Sequence, residues 1–326
     1  MQPWRIVLKK RLVITRRLPE SVIERATRLF DTDLNADDHQ YSADELARRL
    51  SDADAALICL PDTLGRPLIE RLPERFKIVS TFSVGVDHID VAAARERGLR
   101  VGNAPHGVTI ATAEIAMLLI LGAARRAPEG EMLIRNGRWS NWTPTFMLGR
   151  RLDGKTLGIL GMGRIGRAVA KRARAFDMVV HYCNRRRLPA SEAQGAVYHA
   201  TPESLAAASD VLSIHAPSTP ETRHIVDDRL LSHLKPGSIV VNTARGDLVD
   251  DAALIAALRS GQVGYAALDV FEGEPRINPG YLALDNVFLL PHMGSQTIEA
   301  RTEMGMEALA NIEAYFDGRD LPYPVA

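Results

Sequence analysis

Along this chain, short apolar runs alternate with longer stretches in which apolar residues recur every three or four positions. The runs have the look of buried strands and the longer stretches that of amphipathic helices. Residues 11–15 read as a first strand, after which Pro19 opens a helix at the position where its missing N–H costs nothing. Ser42 with Glu45 has the spacing of a capping box for the next helix. Residues 55–60 are an apolar strand, 67–72 a short helix, and 77–82 a strand that runs into Ser83-Val84-Gly85-Val86-Asp87. Asp90 caps a helix that Gly98 ends. This alternation predicts a parallel, helix-covered sheet, so the first hundred or so residues form a domain of their own.

Two helices follow, at about 110–126 and 129–136, the second closed by Gly137. Residues 138–151 then break the pattern: they hold Trp139, Trp142, Pro144 and Phe146, with no clean period. Such aromatics need a partner surface. From Thr156 strand and helix alternate again, with strands at 211–215, 238–242, 264–270 and 287–290. Helices are expected at 202–208, 251–260 and 298–316.

The second alternation begins at residues 157–166, where an apolar run ends in Gly161-Met162-Gly163-Arg164-Ile165-Gly166 and passes into a helix. Three glycines at this spacing suit a dinucleotide: one for the tight turn, one for close approach of backbone to a pyrophosphate, one for helix-on-strand packing. The phosphates then meet unpaired N–H groups at the positive end of a helix. A second apolar strand at 178–183 completes the βαβ unit and ends in Asn184-Arg185-Arg186-Arg187.

Composition narrows the classes. Forty basic residues balance forty acidic ones, so no global field favours nucleic acid or an anionic membrane. The longest apolar run, 115–124, is half of the roughly 20 residues that span a bilayer and reads as a buried helix. The two cysteines, Cys59 and Cys183, sit inside apolar runs, which leaves neither a disulfide framework nor metal-ligand spacing. No metal is expected. The charged stretch from Arg5 to Arg17 lacks the apolar segment of a signal peptide, and a reducing, cytoplasmic compartment is the expectation.

Ligands of open α/β sheets bind beyond the carboxyl ends of the strands. Several candidate groups fall there: Thr243-Ala244-Arg245-Gly246, Asp269, Glu272 and Glu274, and Pro291-His292.

With these residues in hand the chain resembles the D-isomer-specific 2-hydroxyacid dehydrogenase family over essentially its whole length. The glycine motif, Thr243-Ala244-Arg245-Gly246, Asp269-Val270-Phe271 with Glu274-Pro275, and Pro291-His292 with Gly294-Ser295 match that family's signatures in order and spacing. The resemblance implies two doubly wound parallel-sheet domains with the active site in the cleft. A flavodoxin-like substrate domain would comprise 1–104 and 294–326, and a Rossmann nucleotide domain 105–293. It implies reduction of a small 2-oxo acid, of the glyoxylate, hydroxypyruvate or 2-ketogluconate kind, by a nicotinamide cofactor. Arg245 would hold the substrate carboxylate, joined by the backbone amides of Val84 and Gly85. His292 would be the general acid and Glu274 its orienting partner. The cofactor would lie along Thr109, Gly161, Gly163, Arg164, Ile165, Gly166, Asn184, Arg185, Arg186, His215, Pro217, Thr243, Ala244, Asp269 and Gly294.

Two finer expectations follow. An enzyme for NAD usually ends the second strand in Asp or Glu, whereas here two arginines follow Asn184, which predicts preference for NADPH over NADH. In the resembling reductases the aromatic arm crosses to a partner, so a homodimer is expected, with Trp142 lining the neighbour's pocket. The alternatives are a 3-phosphoglycerate dehydrogenase, which often has a further C-terminal domain, and a nucleotide-sensing corepressor of the same fold.

Overall fold

The computed structural model describes residues 9–326, so the basic stretch beginning at Arg5 lies partly outside it. In chain order the first elements are β1 (Arg11–Ile14), α1 (Glu20–Leu29), β2 (Asp31–Leu34), α2 (Ala43–Leu50), β3 (Ala55–Ile58), α3 (Arg66–Arg71), β4 (Ile78–Thr81), α4 (Val91–Glu96) and β5 (Arg100–Gly102). Then come α5 (Val108–Ala124), α6 (Ala127–Arg135), β6 (Thr156–Leu160), α7 (Arg164–Arg174), β7 (Val179–Cys183), α8 (Ala190–Ala193), β8 (Val197–His199), α9 (Pro202–Ala208) and β9 (Val211–Ile214). The chain continues through α10 (Asp228–His233), β10 (Ser238–Asn242), α11 (Asp251–Ser260), β11 (Val263–Leu268), α12 (Pro279–Leu282), β12 (Val287–Leu289) and α13 (Ile298–Phe316). It divides into two compact units, one reaching to Val108 and including Ser295–Ala326, the other Thr109–Gly294.

In the first unit five parallel strands lie in the order β2-β1-β3-β4-β5, the flavodoxin-like order. Val13, Ala56, Ile58 and Val79 on the sheet pack with Leu46, Leu50, Ile69 and Ala93 from the helices. α13 runs against β4 and α1. Gly305 makes the second contact possible, because a Cβ there would stand 2.6 Å from a Val22 methyl. The buried Asn311 of α13 is satisfied by Ser80 Oγ, the Asn103 carbonyl and the Tyr323 N–H.

In the second unit the parallel order is β12-β11-β10-β9-β6-β7-β8. Counted from β6 this is the Rossmann order, with the direction of winding reversing between β6 and β9. β9 and β10 at the centre are buried along their whole length, as cover by helices on either side demands, whereas the edge strand β8 is not. Ile239 and Val241 of β10 face the cluster that includes α5 and α7, whereas Val240 faces the one that includes α9, α10 and α11. α5 lies close on β12: a Cβ at Gly122 would reach within 2.4 Å of the Phe288 ring.

Several local expectations need correction. α5 is buried around most of its circumference and leaves one stripe, Ile110, Glu114 and Leu118, exposed. The capping box is half formed: Ser42 accepts the Glu45 N–H at 3.2 Å, while the Glu45 carboxylate turns to His39 at 3.1 Å. Pro19 is the N-cap of α1, one position before the helix. The helix starts inside the glycine motif, at Arg164, so the loop's second glycine is itself the cap. Among the described residues no single helix is long and apolar enough to cross a membrane.

Candidate active site

The glycine loop fills the switch point of the second unit, and its three glycines divide the work by geometry. Gly161 has φ of +98°, and a Cβ there would stand 2.5 Å from the backbone nitrogen of Ala216, just beyond β9. Gly166 lies under the loop, where a Cβ would come within 2.6 Å of the Gly161 carbonyl. Gly163, the N-cap of α7, faces open space: nothing stands within 4 Å of where its Cβ would be. The bare backbone of a helix N-terminus is thus presented outward, as an anionic diphosphate requires.

Around this loop, Asn184 at the end of β7 accepts the Met162 N–H at 2.6 Å and so braces the loop from beside it. Arg185 and Arg186 are exposed, and Arg187 lies over the Tyr198 ring. His215 follows β9 and joins its two neighbours. Its N–H donates to the Leu160 carbonyl at 2.8 Å, and its ring meets Ser213 Oγ at 2.8 Å and Thr243 Oγ1 at 3.4 Å. Burial pushes this imidazole down to about 4, so it is neutral at physiological pH. The Pro217 carbonyl accepts from Thr222 Oγ1, which tightens the following loop.

Asp269, fully buried just past β11, holds the next segment. Its carbonyl accepts the His292 N–H at 2.8 Å, and its Oδ1 accepts the Met293 N–H at 2.6 Å. Oδ2 is shielded from water with no partner among the described residues. Burial raises this carboxyl above its ordinary value, against the pull of the Met293 N–H and the His292 charge. Thr109 Oγ1 is likewise buried without a partner among the described residues. Gly294 passes close, where a Cβ would lie 3.3 Å from Asp269 Oδ2.

The proton-handling groups meet here. Nδ1 of His292 lies 2.5 Å from Oε1 of Glu274, whose Oε2 accepts the Phe271 N–H at 3.1 Å. His292 adopts φ of +53°, a left-handed conformation that a residue of this size takes only when its surroundings hold it there. Burial works against ionisation of Glu274. The His292 hydrogen bond and charge, the Phe271 N–H and the Arg245 charge outweigh it and hold the carboxyl below its ordinary range. Arg245 lies on the loop after β10, with Nη1 on the Ala244 carbonyl at 2.8 Å. Gly246 seats this loop tightly, because a Cβ there would overlap the backbone of Phe271 and Glu272.

The structure therefore brings Arg245, Glu274 and His292 within electrostatic reach and leaves Glu272 out: that carboxylate binds Arg223 at 2.5 Å and His224 at 2.9 Å. Asn242 escaped the sequence reading although it anchors the loop, donating to the Arg245 carbonyl and accepting the Ala244 N–H. Its signal was an asparagine closing an otherwise apolar strand. In the first unit, Val84 and Gly85 lie on a loop pinned by its carbonyls, with Asn103 Nδ2 on Val84 at 2.8 Å and Ser83 Oγ on Gly85 at 2.7 Å. Trp142 is 74% exposed.

The profile of the D-isomer specific 2-hydroxyacid dehydrogenase NAD-binding domain matches residues 117–294. The glycerate dehydrogenase of Hyphomicrobium methylovorum is 48% identical over 98% of this chain and 99% of its own length. The chain belongs to the D-isomer-specific 2-hydroxyacid dehydrogenase family. It is an oxidoreductase that binds a nicotinamide cofactor and acts on small 2-oxo or 2-hydroxy acids. Other members are similar across the same span. The glyoxylate reductase of Thermococcus litoralis is 39% identical over 97% of this chain and 96% of its own. Among solved structures, the NADPH-dependent glyoxylate/hydroxypyruvate reductase of Sinorhizobium meliloti, in complex with NADP and malonate, superposes with a TM-score of 0.84. It is 33% identical and the match covers 98% of this chain and 97% of that one.

Proposed function

We propose that this dehydrogenase is an NADPH-preferring reductase of glyoxylate and hydroxypyruvate, with 2-ketogluconate a further substrate. The observation that carries the reading is the 2.5 Å contact of His292 with Glu274 beside the Arg245 charge. Together they supply a proton and a cation where carbonyl reduction develops negative charge.

The residues fit a dinucleotide. Gly163 leaves the N-terminus of α7 open, and Asp269 Oδ2 and Thr109 Oγ1 are buried polar atoms that await a partner. Gly161, Gly163, Arg164, Ile165 and Gly166 would hold the diphosphate, with His215, Pro217, Thr243 and Ala244 lining its course. Asp269 and Gly294 would meet the carboxamide, and Thr109 would lie alongside. When bound, the reduced nicotinamide supplies the hydride that C2 of the substrate receives. Arg245 grips the substrate carboxylate through its planar fork and polarises the adjacent carbonyl. His292 hands its Nε2 proton to the carbonyl oxygen, while Glu274 on Nδ1 fixes the ring and balances its charge.

Preference for NADPH rests on Asn184, Arg185 and Arg186 at the end of β7. No carboxylate stands there to repel a 2′-phosphate, and the two arginines offer it charge-assisted hydrogen bonds. A homodimer is supported by the open apolar surface of 138–151, where Trp139 is 56% and Leu148 65% exposed. A cytoplasmic site of action accords with cysteines kept as thiols. The test is a panel of glyoxylate, hydroxypyruvate, 2-ketogluconate, pyruvate and phosphohydroxypyruvate with each reduced cofactor. NADPH with glyoxylate or hydroxypyruvate should give the highest kcat/KM. Preference for phosphohydroxypyruvate would point to the 3-phosphoglycerate dehydrogenase reaction, and turnover with none of them to a nucleotide-binding role.

A further inference from the structure

Tyr182 of β7 carries a hydroxyl at a position where a bare phenyl ring would fill the core equally well. The residue is fully buried, in the apolar cluster that the second unit's sheet shares with α5 and α7. A hydroxyl taken out of water is costly unless it is hydrogen-bonded. Its partner is the backbone N–H of Leu188, which donates to the Tyr182 oxygen at 3.0 Å. Leu188 packs against the same cluster, so the chain that leaves β7 comes back to it after Asn184-Arg185-Arg186-Arg187.

The other end of this turn is held as well. The Gly161 N–H donates to the Cys183 carbonyl at 3.0 Å and the Met162 N–H to Asn184 Oδ1 at 2.6 Å, which joins the start of the turn to the glycine loop. Tyr198 lies opposite Tyr182 on β8, with the ring centres 5.4 Å apart, and its hydroxyl donates to the Asn184 carbonyl at 3.4 Å. Arg187 is directed onto that second ring, its guanidinium 6.0 Å from the centre. Arg185 and Arg186 are left exposed between the two anchors. A turn that is ordered before its ligand arrives loses less freedom on binding, and affinity rises accordingly.

We propose that Tyr182 is a positioning residue for recognition of the cofactor's 2′-phosphate: by holding the Leu188 N–H, its hydroxyl keeps the 184–188 turn ordered so that Arg185 and Arg186 are offered from a fixed backbone. This rests on the reading of the protein as NADPH-preferring and gives that preference a buried support. The contribution is indirect, through the two arginines.

Calorimetric titration of the cofactor-free protein with oxidised NADP and oxidised NAD, which differ by the 2′-phosphate alone, tests this without turnover. Tyr182→Phe keeps the ring and loses the hydroxyl. In this variant the factor by which NADP binds more tightly than NAD should fall about 3- to 10-fold, the size of one neutral hydrogen bond, while the Kd for NAD stays as it was. With Arg185→Ala and Arg186→Ala already in place, Tyr182→Phe should change that factor no further, a coupling that a general loss of stability would not produce. Should Tyr182→Phe fail to fold, Tyr198→Phe, which releases the Asn184 carbonyl, carries the same expectation. An unchanged factor in the folded variant, or equal weakening of both cofactors, would overturn the proposal. Wild-type protein that binds the two cofactors equally would overturn the NADPH reading itself, which separates the two failures.

Discussion

The imidazole of His292 and the carboxylate of Glu274 meet at 2.5 Å, Nδ1 to Oε1, although 18 residues separate them in the chain. Neither group is free to turn away. Glu274 is tied by its second oxygen to the Phe271 N–H, and the backbone of His292 is fixed by its N–H on the Asp269 carbonyl. The ring nitrogen left for chemistry is Nε2.

Glu274→Gln should keep a hydrogen bond to Nδ1 and lose the charge. In the native protein burial raises the Glu274 carboxyl, but His292, Phe271 and Arg245 lower it more, to below the ordinary 4.5. For a carboxylate depressed on folding, the interaction is fully present above 4.5 and is lost as pH falls through the lower native value. Turnover of wild-type protein should therefore show an acid limb below that ordinary value, and Glu274→Gln should lack it while running more slowly at neutral pH. A pH profile of kcat whose acid limb is unchanged in the variant would contradict the coupling.

His215 gives a stability test with a defined window. Its ordinary value of 6.5 drops to about 4 in the folded protein because of burial. Between those values the unfolded chain binds a proton that the native one refuses, so stability falls as pH falls from 6.5 towards 4. His215→Gln, with an amide in place of the titrating ring, should flatten that part of the curve. Denaturant midpoints at the two ends of the window measure it, and equal slopes in both proteins would refute the assignment.

Arg185→Ala should raise the KM for NADPH by about one to two orders of magnitude, from the loss of a hydrogen bond of roughly 1.5–3 kcal/mol, and leave NADH nearly unaffected. Steady-state kinetics with both cofactors decide the point. Equal losses for the two would place Arg185 away from the 2′-phosphate.

Sedimentation at micromolar concentration should find a dimer, because Trp139, Trp142, Phe146 and Leu148 of the 138–151 arm are all exposed large apolar side chains. Trp142→Ala should then raise the KM for hydroxypyruvate if the side chain lines a partner's site. A monomer would remove both expectations, and a dimer with unchanged constants only the second.

The legible parts of this fold were those where local pattern and tertiary fate agree. Strands β3, β4, β9 and β10 are buried on both faces because helices cover both, and their largely apolar runs read directly from sequence. β2, with the sequence Asp-Thr-Asp-Leu at the edge of its sheet, and the three-residue edge strand β8 carry no such run, since an edge is stabilised by its one neighbour. Glu272 and Glu274 are equivalent in sequence, two residues apart beyond one strand. Only the path of the chain turns one to Arg223 and His224 and the other to His292.

The central claim is that His292 delivers the proton as C2 is reduced. Single-turnover reduction of glyoxylate at saturating NADPH, compared between wild-type protein and His292→Ala at neutral pH, tests it most directly. The expected result is a rate about 10² to 10⁴ lower in the variant, the usual contribution of a positioned general acid, with cofactor affinity retained. A single-turnover rate in His292→Ala equal to that of wild type would contradict the claim.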